Sequence, residues 1–219
     1  MRLQIHNSAR GLLVVGACFL GGCSGMHLGS DITSVYDYSL ASFSAHRVTL
    51  EQAAATPYAS MGIRIGDGDE RIVVLATNTE ESLLWTSAAH ISLSTRDGRI
   101  IRTVGFGHDL ANFTLVTTAL SRDGSVETHW AADFPDIGAY SVPVTCESKS
   151  AGEETIDILG KALKTTRFVE HCSARVRASD WQFQNIYWKS PDSGFVWRAI
   201  QHVHPDLEAL HTEIFRRPA

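Results

Sequence analysis

Two Asp-Gly turns, Asp97-Gly98 and Asp123-Gly124, each lie between short runs in which apolar and polar residues alternate. Asp-Gly supplies the positive φ angles of a tight hairpin, so each turn sends the chain back beside itself as an antiparallel strand. The same texture recurs along most of the chain. Ile63 and Ile65 alternate with glycine and arginine, and Gly66-Asp-Gly-Asp-Glu70 turns. Ile72-Val-Val-Leu75 is an unbroken apolar run, which reads as a strand buried on both faces. Further strands are expected over 82–86, 90–95, 99–104, 114–118 and 126–131, with a break at Gly105-Phe-Gly107. Many short strands joined by Gly and Pro turns point to an all-β antiparallel architecture.

Two later stretches carry the clearest alternation. Tyr140, Val142, Val144 and Cys146 share one face, and Pro143 marks an edge position or a bulge. Residues 147–154 are polar and read as a loop. Over 167–177, Phe168, Cys172, Ala174 and Val176 share a face, with Glu170 as an acid out of place among them. A last hairpin spans 181–202 around Ser190-Pro-Asp-Ser-Gly194, and a short strand, 213–215, closes the chain. Upstream, Val35, Tyr36, Leu40 and Phe43 have near-helical spacing over 31–45, and 49–55 reads as a helix capped by Thr49 and stopped by Pro57. The expectation is one mainly β domain over 31–219, with one or two short N-terminal helices.

The N-terminus sets the compartment. Arg2 and Arg10 precede an apolar run, 11–20, too short to span a bilayer comfortably. It ends in Leu20-Gly21-Gly22-Cys23, the pattern of a bacterial lipobox, in which the cut falls before Cys23 and that cysteine takes the acyl chains. Residues 1–22 are then a signal peptide and 23–30 a lipidated tether. Ser24 in place of Asp favours the outer membrane, with the protein facing the periplasm. Two arginines and no acid leave with the leader, taking the 219-residue chain's formal charge of −5 to −7. That balance argues against nucleic acid as a partner. Membrane attachment must come from acyl chains, at about 0.8 kcal/mol per buried methylene.

Cys146 and Cys172 remain once Cys18 leaves and Cys23 is acylated. In an oxidising compartment they are expected to form a disulfide; two buried thiols, or half of a metal site with His171, are the alternatives.

The segments Trp85-Thr-Ser87, Ile91-Ser-Leu-Ser-Thr95, Gly98-Arg-Ile-Ile-Arg-Thr-Val-Gly105, Asn185-Ile-Tyr-Trp188 and Gly194-Phe-Val-Trp-Arg198, with Gln201-His202 and Pro205, resemble the YjbF/GfcB lipoprotein family. The likeness runs from about residue 49 to 219. It implies a large antiparallel meander folded on itself as an open, barrel-like sandwich. It also implies an outer-membrane lipoprotein of exopolysaccharide or group 4 capsule loci, and it carries no catalytic residue.

Reaction motifs are absent: there is no Gly-x-Ser-x-Gly, phosphate loop or His-Glu-x-x-His, and no cofactor is expected. Asp67-Gly-Asp-Glu70 has the wrong acidic spacing for a calcium loop. His202 and His204 lie two apart, as strand ligands would, but Pro205 ends the strand beside them, and no metal is expected. Asp109, Asp133 and Asp136 fall in predicted loops, where a pair could serve glycan cleavage. Trp181, Tyr187, Trp188 and Trp197 place aromatics on both faces of the last hairpin. One face belongs to the core; the other would stack on sugar rings or pack against a helix of the same chain. The reading that follows is a non-enzymatic lipoprotein assisting polysaccharide assembly or export, with polysaccharide or a secretion protein as partner. A lipid or lipoprotein carrier with an apolar β cavity is the alternative, and a glycan-cleaving enzyme the third.

Overall fold

A computed structural model describes residues 45–122 and 124–218. The expected leader, Cys23, the tether, Asp123 and all of the first expected helix but Ala45 lie outside them.

The second helix, α1, spans Leu50–Ala54. Thr49 Oγ1 accepts the Gln52 N–H at 3.2 Å, and Gln52 Oε1 accepts the Thr49 N–H at 2.9 Å, a complete capping box. Five residues do not sustain a helix alone. The 66–70 turn holds it: Asp69 accepts the His46 N–H and Glu70 the Val48 N–H, both at 2.9 Å.

Twelve strands follow, in one antiparallel sheet: β1 (Ser60–Ile65), β2 (Arg71–Asn78), β3 (Leu83–Thr86), β4 (Ser92–Arg96), β5 (Arg99–Val104), β6 (Asn112–Leu120), β7 (Val126–Phe134), β8 (Ala139–Ile158), β9 (Lys161–Val176), β10 (Ser179–Lys189), β11 (Val196–Gln201) and β12 (Leu210–Arg216). The order β5-β4-β3-β2-β1-β12-β11-β10-β9-β8-β7-β6 is a meander interrupted once. β1 pairs with both β2 and β12, so the chain enters mid-sheet, and consecutive strands β5 and β6 become the two edges. The sheet curls until these edges meet. Thr103 N–H donates to Leu110 O, and Leu110 N–H donates to Thr103 Oγ1, both at 2.8 Å. The result is the nearly closed, barrel-like sheet expected; bringing the edges together limits unpaired backbone.

Side chains fill the interior. Val73, Trp85, Leu93, Ile100, Phe134, Val144 and Leu210 are all fully buried, and Trp85 Nε1 donates to Thr95 Oγ1 at 3.0 Å. At the 97–98 hairpin both residues have positive φ, 51° and 78°. A Cβ at Gly98 would stand 2.4 Å from Val196 Cβ, so only glycine lets this hairpin tip rest on β11.

Three local expectations need correction. Ile72 and Val74 are half-buried, because no second layer among the described residues covers the outer face of β2. Tyr140 is 63% exposed rather than sharing a face with Val142. Ser141 adopts φ 50°, its N–H bonds to Asp133, and the β7–β8 register slips there, which turns Tyr140 outward. Pro143 fits the bulge reading: it lies on an inner strand, but just past that slip and beyond the last β8–β9 pair, Val144 with Ala174. Residues 147–154 are strand, not loop: β8 continues to Ile158 and returns as β9 through Leu159-Gly160, both at positive φ. The tip of this long ribbon folds onto the outside of the body, where Ile156, Ile158 and Leu163 pack with Ile186, Trp188, Trp197, Ile200 and Phe215.

One pairing between β1 and β12 has a pH consequence. Arg64 Nη2 donates to His211 Nδ1 at 2.7 Å. Burial and the Arg64 charge lower the imidazole from its ordinary 6.5 to about 4. Between these values the unfolded chain binds more protons, so stability is full above pH 6.5 and falls as pH drops toward 4. Half-exposure screens part of the effect. Replacing His211 with Gln, which retains an acceptor for Arg64, is expected to flatten that limb of a stability–pH profile. An unaltered slope would assign the loss to other groups.

Candidate functional site

Three polar assemblies stand out. The first lies inside the barrel. Glu170 of β9, the acid out of place in the sequence, is 2% exposed and ion-paired to Arg99 of the β5 edge. Asn185 donates to Glu170 at 2.8 Å, and Tyr187 O–H reaches Glu170 at 3.5 Å and Gln201 at 3.3 Å. Arg99 lies over Trp130, 4.6 Å from the ring centroid. Burial pushes the Arg99 guanidinium down, but Tyr187 and Glu170 outweigh it and hold the pKa above the ordinary value. Burial first, then Glu170, pushes the Tyr187 phenol far above its usual range. The Gln201 amide acts as a strand partner for the same edge, accepting from Ile100 N–H at 3.0 Å and donating to Gly98 O at 2.9 Å. This assembly fastens β5 to the opposite wall. It also sets charged and polar side chains in this part of the interior, where an acyl chain would need an apolar lining.

The second assembly joins three connections. Asp136, in the Pro135–Ile137 turn, bonds His108 Nδ1 at 3.0 Å and His204 Nε2 at 3.2 Å. Burial raises the Asp136 pKa, but the two imidazoles outweigh it and the net shift is downward. The ligand atoms are close enough for a metal. The tautomer opposes one: Asp206 N–H donates to His204 Nδ1 at 3.0 Å, so the neutral ring carries its proton on Nε2, toward Asp136. The trio is a clamp between the β5–β6 and β11–β12 connections. His202 turns away, with Nδ1 at the Gln184 carbonyl, so His202 and His204 do not converge. Asp109 caps the Gly105 and Phe106 N–H groups, and Asp133, which lies in β7 and not in the expected loop, takes the Ser141 N–H, so the three aspartates serve structure.

Cys146 and Cys172 are directly paired across β8 and β9 and joined as a disulfide, with their Cα atoms 4.0 Å apart.

The third assembly is a cavity of about 390 Å³ at one mouth of the barrel, between the 79–82 turn, the 96–98 hairpin, the 193–195 loop and Arg217. Of the four aromatics singled out in the sequence, the structure brings Trp197 here. Tyr187, 4% exposed, belongs to the interior network, and Trp188, 7% exposed, is covered by the β8–β9 ribbon; neither offers a face to a sugar. The second aromatic face of the hairpin therefore packs against the same chain, against strands rather than a helix. Trp181 stacks on Phe183 at 4.0 Å and meets Phe134 edge-on. Phe195 stands edge-to-face with Trp197 at 5.0 Å, and Arg217 lies over both rings, at 4.3 and 5.4 Å. Sequence reading missed Phe195, Arg96 and Arg217. The Ser193-Gly-Phe-Val-Trp197 run beside a turn was the available signal.

Comparison with known proteins follows the fold. The family described as "Group 4 capsule polysaccharide lipoprotein gfcB, YjbF" matches residues 35–215. The chain is 27% identical over 199 residues to "Uncharacterized lipoprotein GfcB" of Escherichia coli (strain K12), covering 87% of this chain and 90% of that one. The crystal structure of the hypothetical lipoprotein YmcC from Escherichia coli (K12) superposes with a TM-score of 0.60 at 20% identity, covering 90% of this chain and 99% of that one. That likeness concerns the fold.

Proposed function

The chain belongs to the YjbF family of group 4 capsule polysaccharide lipoproteins, and from that membership we propose a non-enzymatic role in the assembly or export of a capsule or exopolysaccharide, exercised from the periplasmic face of the outer membrane. The observation that carries this reading is the extent of the match, which takes in the whole β body rather than one motif. The lipobox at Cys23 supports anchoring by acyl chains, and Ser24 supports the outer membrane. A disulfide agrees with an oxidising compartment. The absence of reaction motifs, together with local bonds at Asp109, Asp133 and Asp136, supports a role without catalysis.

Deletion in the producing strain tests it. Surface polymer is expected to fall on deletion and to return with the wild-type gene. The Cys23→Ser chain is expected not to restore it. Mass analysis of the wild-type protein should find Cys23 acylated and N-terminal. Unchanged polymer after deletion would remove the role; an unmodified Cys23 would remove the anchor.

A further inference from the structure

We infer that the mouth cavity bounded by Phe195, Trp197 and Arg217 binds a short neutral stretch of saccharide, an inference that rests on the polysaccharide role proposed above. Its volume, about 390 Å³, lies within the range of small-ligand sites and has room for one or two sugar rings. Its chemistry is what a polyol needs. A pyranose presents an apolar C–H face and a rim of hydroxyls that both donate and accept. Phe195 and Trp197 supply apolar walls nearly at right angles, 78° apart.

The polar groups at the rim are unspent. Arg217 is held by aromatic rings rather than by a carboxylate, and among the described residues none of its N–H donors has a hydrogen-bond partner. Arg96 uses Nε on the Glu81 carbonyl, and its other guanidinium nitrogens have no partner among the described residues. Glu80, Glu81 and Asp97 line the same cavity, and their carboxylates make no ion pair within the described residues. Donors and acceptors at the rim fit hydroxyls, and the floor of Met61, Leu83, Trp85 and Ile214 fits an apolar C–H face; an acyl chain would use the floor and find no use for the rim groups. Three carboxylates against two guanidiniums, on a chain of net charge −5, favour a neutral segment over a polyanionic one.

The hairpin that forms one wall is fixed by Gly98 on Val196 and by Gln201, so the site is formed before ligand arrives.

The test uses the full-length lipidated protein in detergent. It is titrated with oligosaccharides from partial hydrolysis of the producing strain's own surface polymer, separated into neutral and uronate-bearing fractions. Saturable binding of the neutral fraction is expected, read by tryptophan fluorescence and saturation-transfer NMR. Trp197→Ala and Arg217→Ala are each expected to weaken it tenfold or more, and Trp181→Phe to leave it unchanged. Arg217 is exposed, so its variant stays informative if Trp197→Ala melts early. No saturable binding, binding indifferent to Arg217→Ala, or capture of the uronate fraction alone would overturn the inference. Cells separate this from the wider role. Normal surface polymer with both variants, in a strain whose deletion abolishes it, sinks the cavity and leaves the role standing. Normal polymer in the deletion strain sinks the role.

Discussion

Replacing Glu170 with alanine is expected to cost about 3–5 kcal/mol of stability, among the largest losses a single side chain here can produce. Glu170 is 2% exposed, and its partner Arg99 has no other carboxylate within reach among the described residues. Removing the acid strands a guanidinium against Trp130 and Tyr187, away from water. It also removes the acceptor for Asn185. Denaturant unfolding with an unchanged m-value would measure the loss. A double variant, Glu170→Leu with Arg99→Met, is expected to recover much of it, because an apolar pair avoids the desolvation of both charges. A loss under about 1 kcal/mol for Glu170→Ala would mean that water reaches the pair, since exposed pairs contribute no more. The effect should extend beyond stability. Arg99 and Gln201 hold the β5 edge, and the hairpin leading into β5 walls the mouth cavity, so loosening β5 loosens the cavity.

That pair shows what a one-dimensional pattern carries. The alternation over 167–177 placed Glu170 on the apolar face, where an acid must find a cation, but nothing local said that the cation would be Arg99, 71 residues earlier. Strands bracketed by turn chemistry were legible almost to the residue, as with 99–104 after Asp97-Gly98. The helix cap at Thr49 was legible for the same reason, since both signals are short-range. The ribbon at 147–158 was not. Most of it is hydrated on both faces, so it has no period-two apolar signature, and its strand form comes from pairing with β9. Ile156 and Ile158 did alternate, and they mark the tip that lands on Trp188. The burial of Trp188 follows from that landing, a long-range event. The mouth cavity is likewise assembled from strand ends and turns scattered between Met61 and Arg217, and only Trp197 advertised it.

The second large effect is expected at the root of the same ribbon. Substituting both Cys146 and Cys172 with alanine should lower stability by about 3 kcal/mol, the chain-entropy value for closing a loop of this size. The two cysteines are 26 residues apart, buried, and directly opposed across β8 and β9. Their position gives the bridge a further task. Between Ser148 and Ile158 the ribbon lacks a continuous apolar face, so its hydrophobic pattern fixes register weakly. A covalent link at Cys146–Cys172 fixes it from one end, and the Leu159-Gly160 turn fixes it from the other. Loss of the bridge should therefore speed hydrogen exchange over 147–166 far more than over β1–β5. Because both sulfurs are buried, a reductant should act on the native protein only as fast as it opens, and should act at once on the unfolded chain. The double variant and the reduced wild type should then share one unfolding midpoint. Equal stability of the oxidised wild type and the double variant would mean that the bridge adds nothing, and that β-pairing alone holds the ribbon over Trp188.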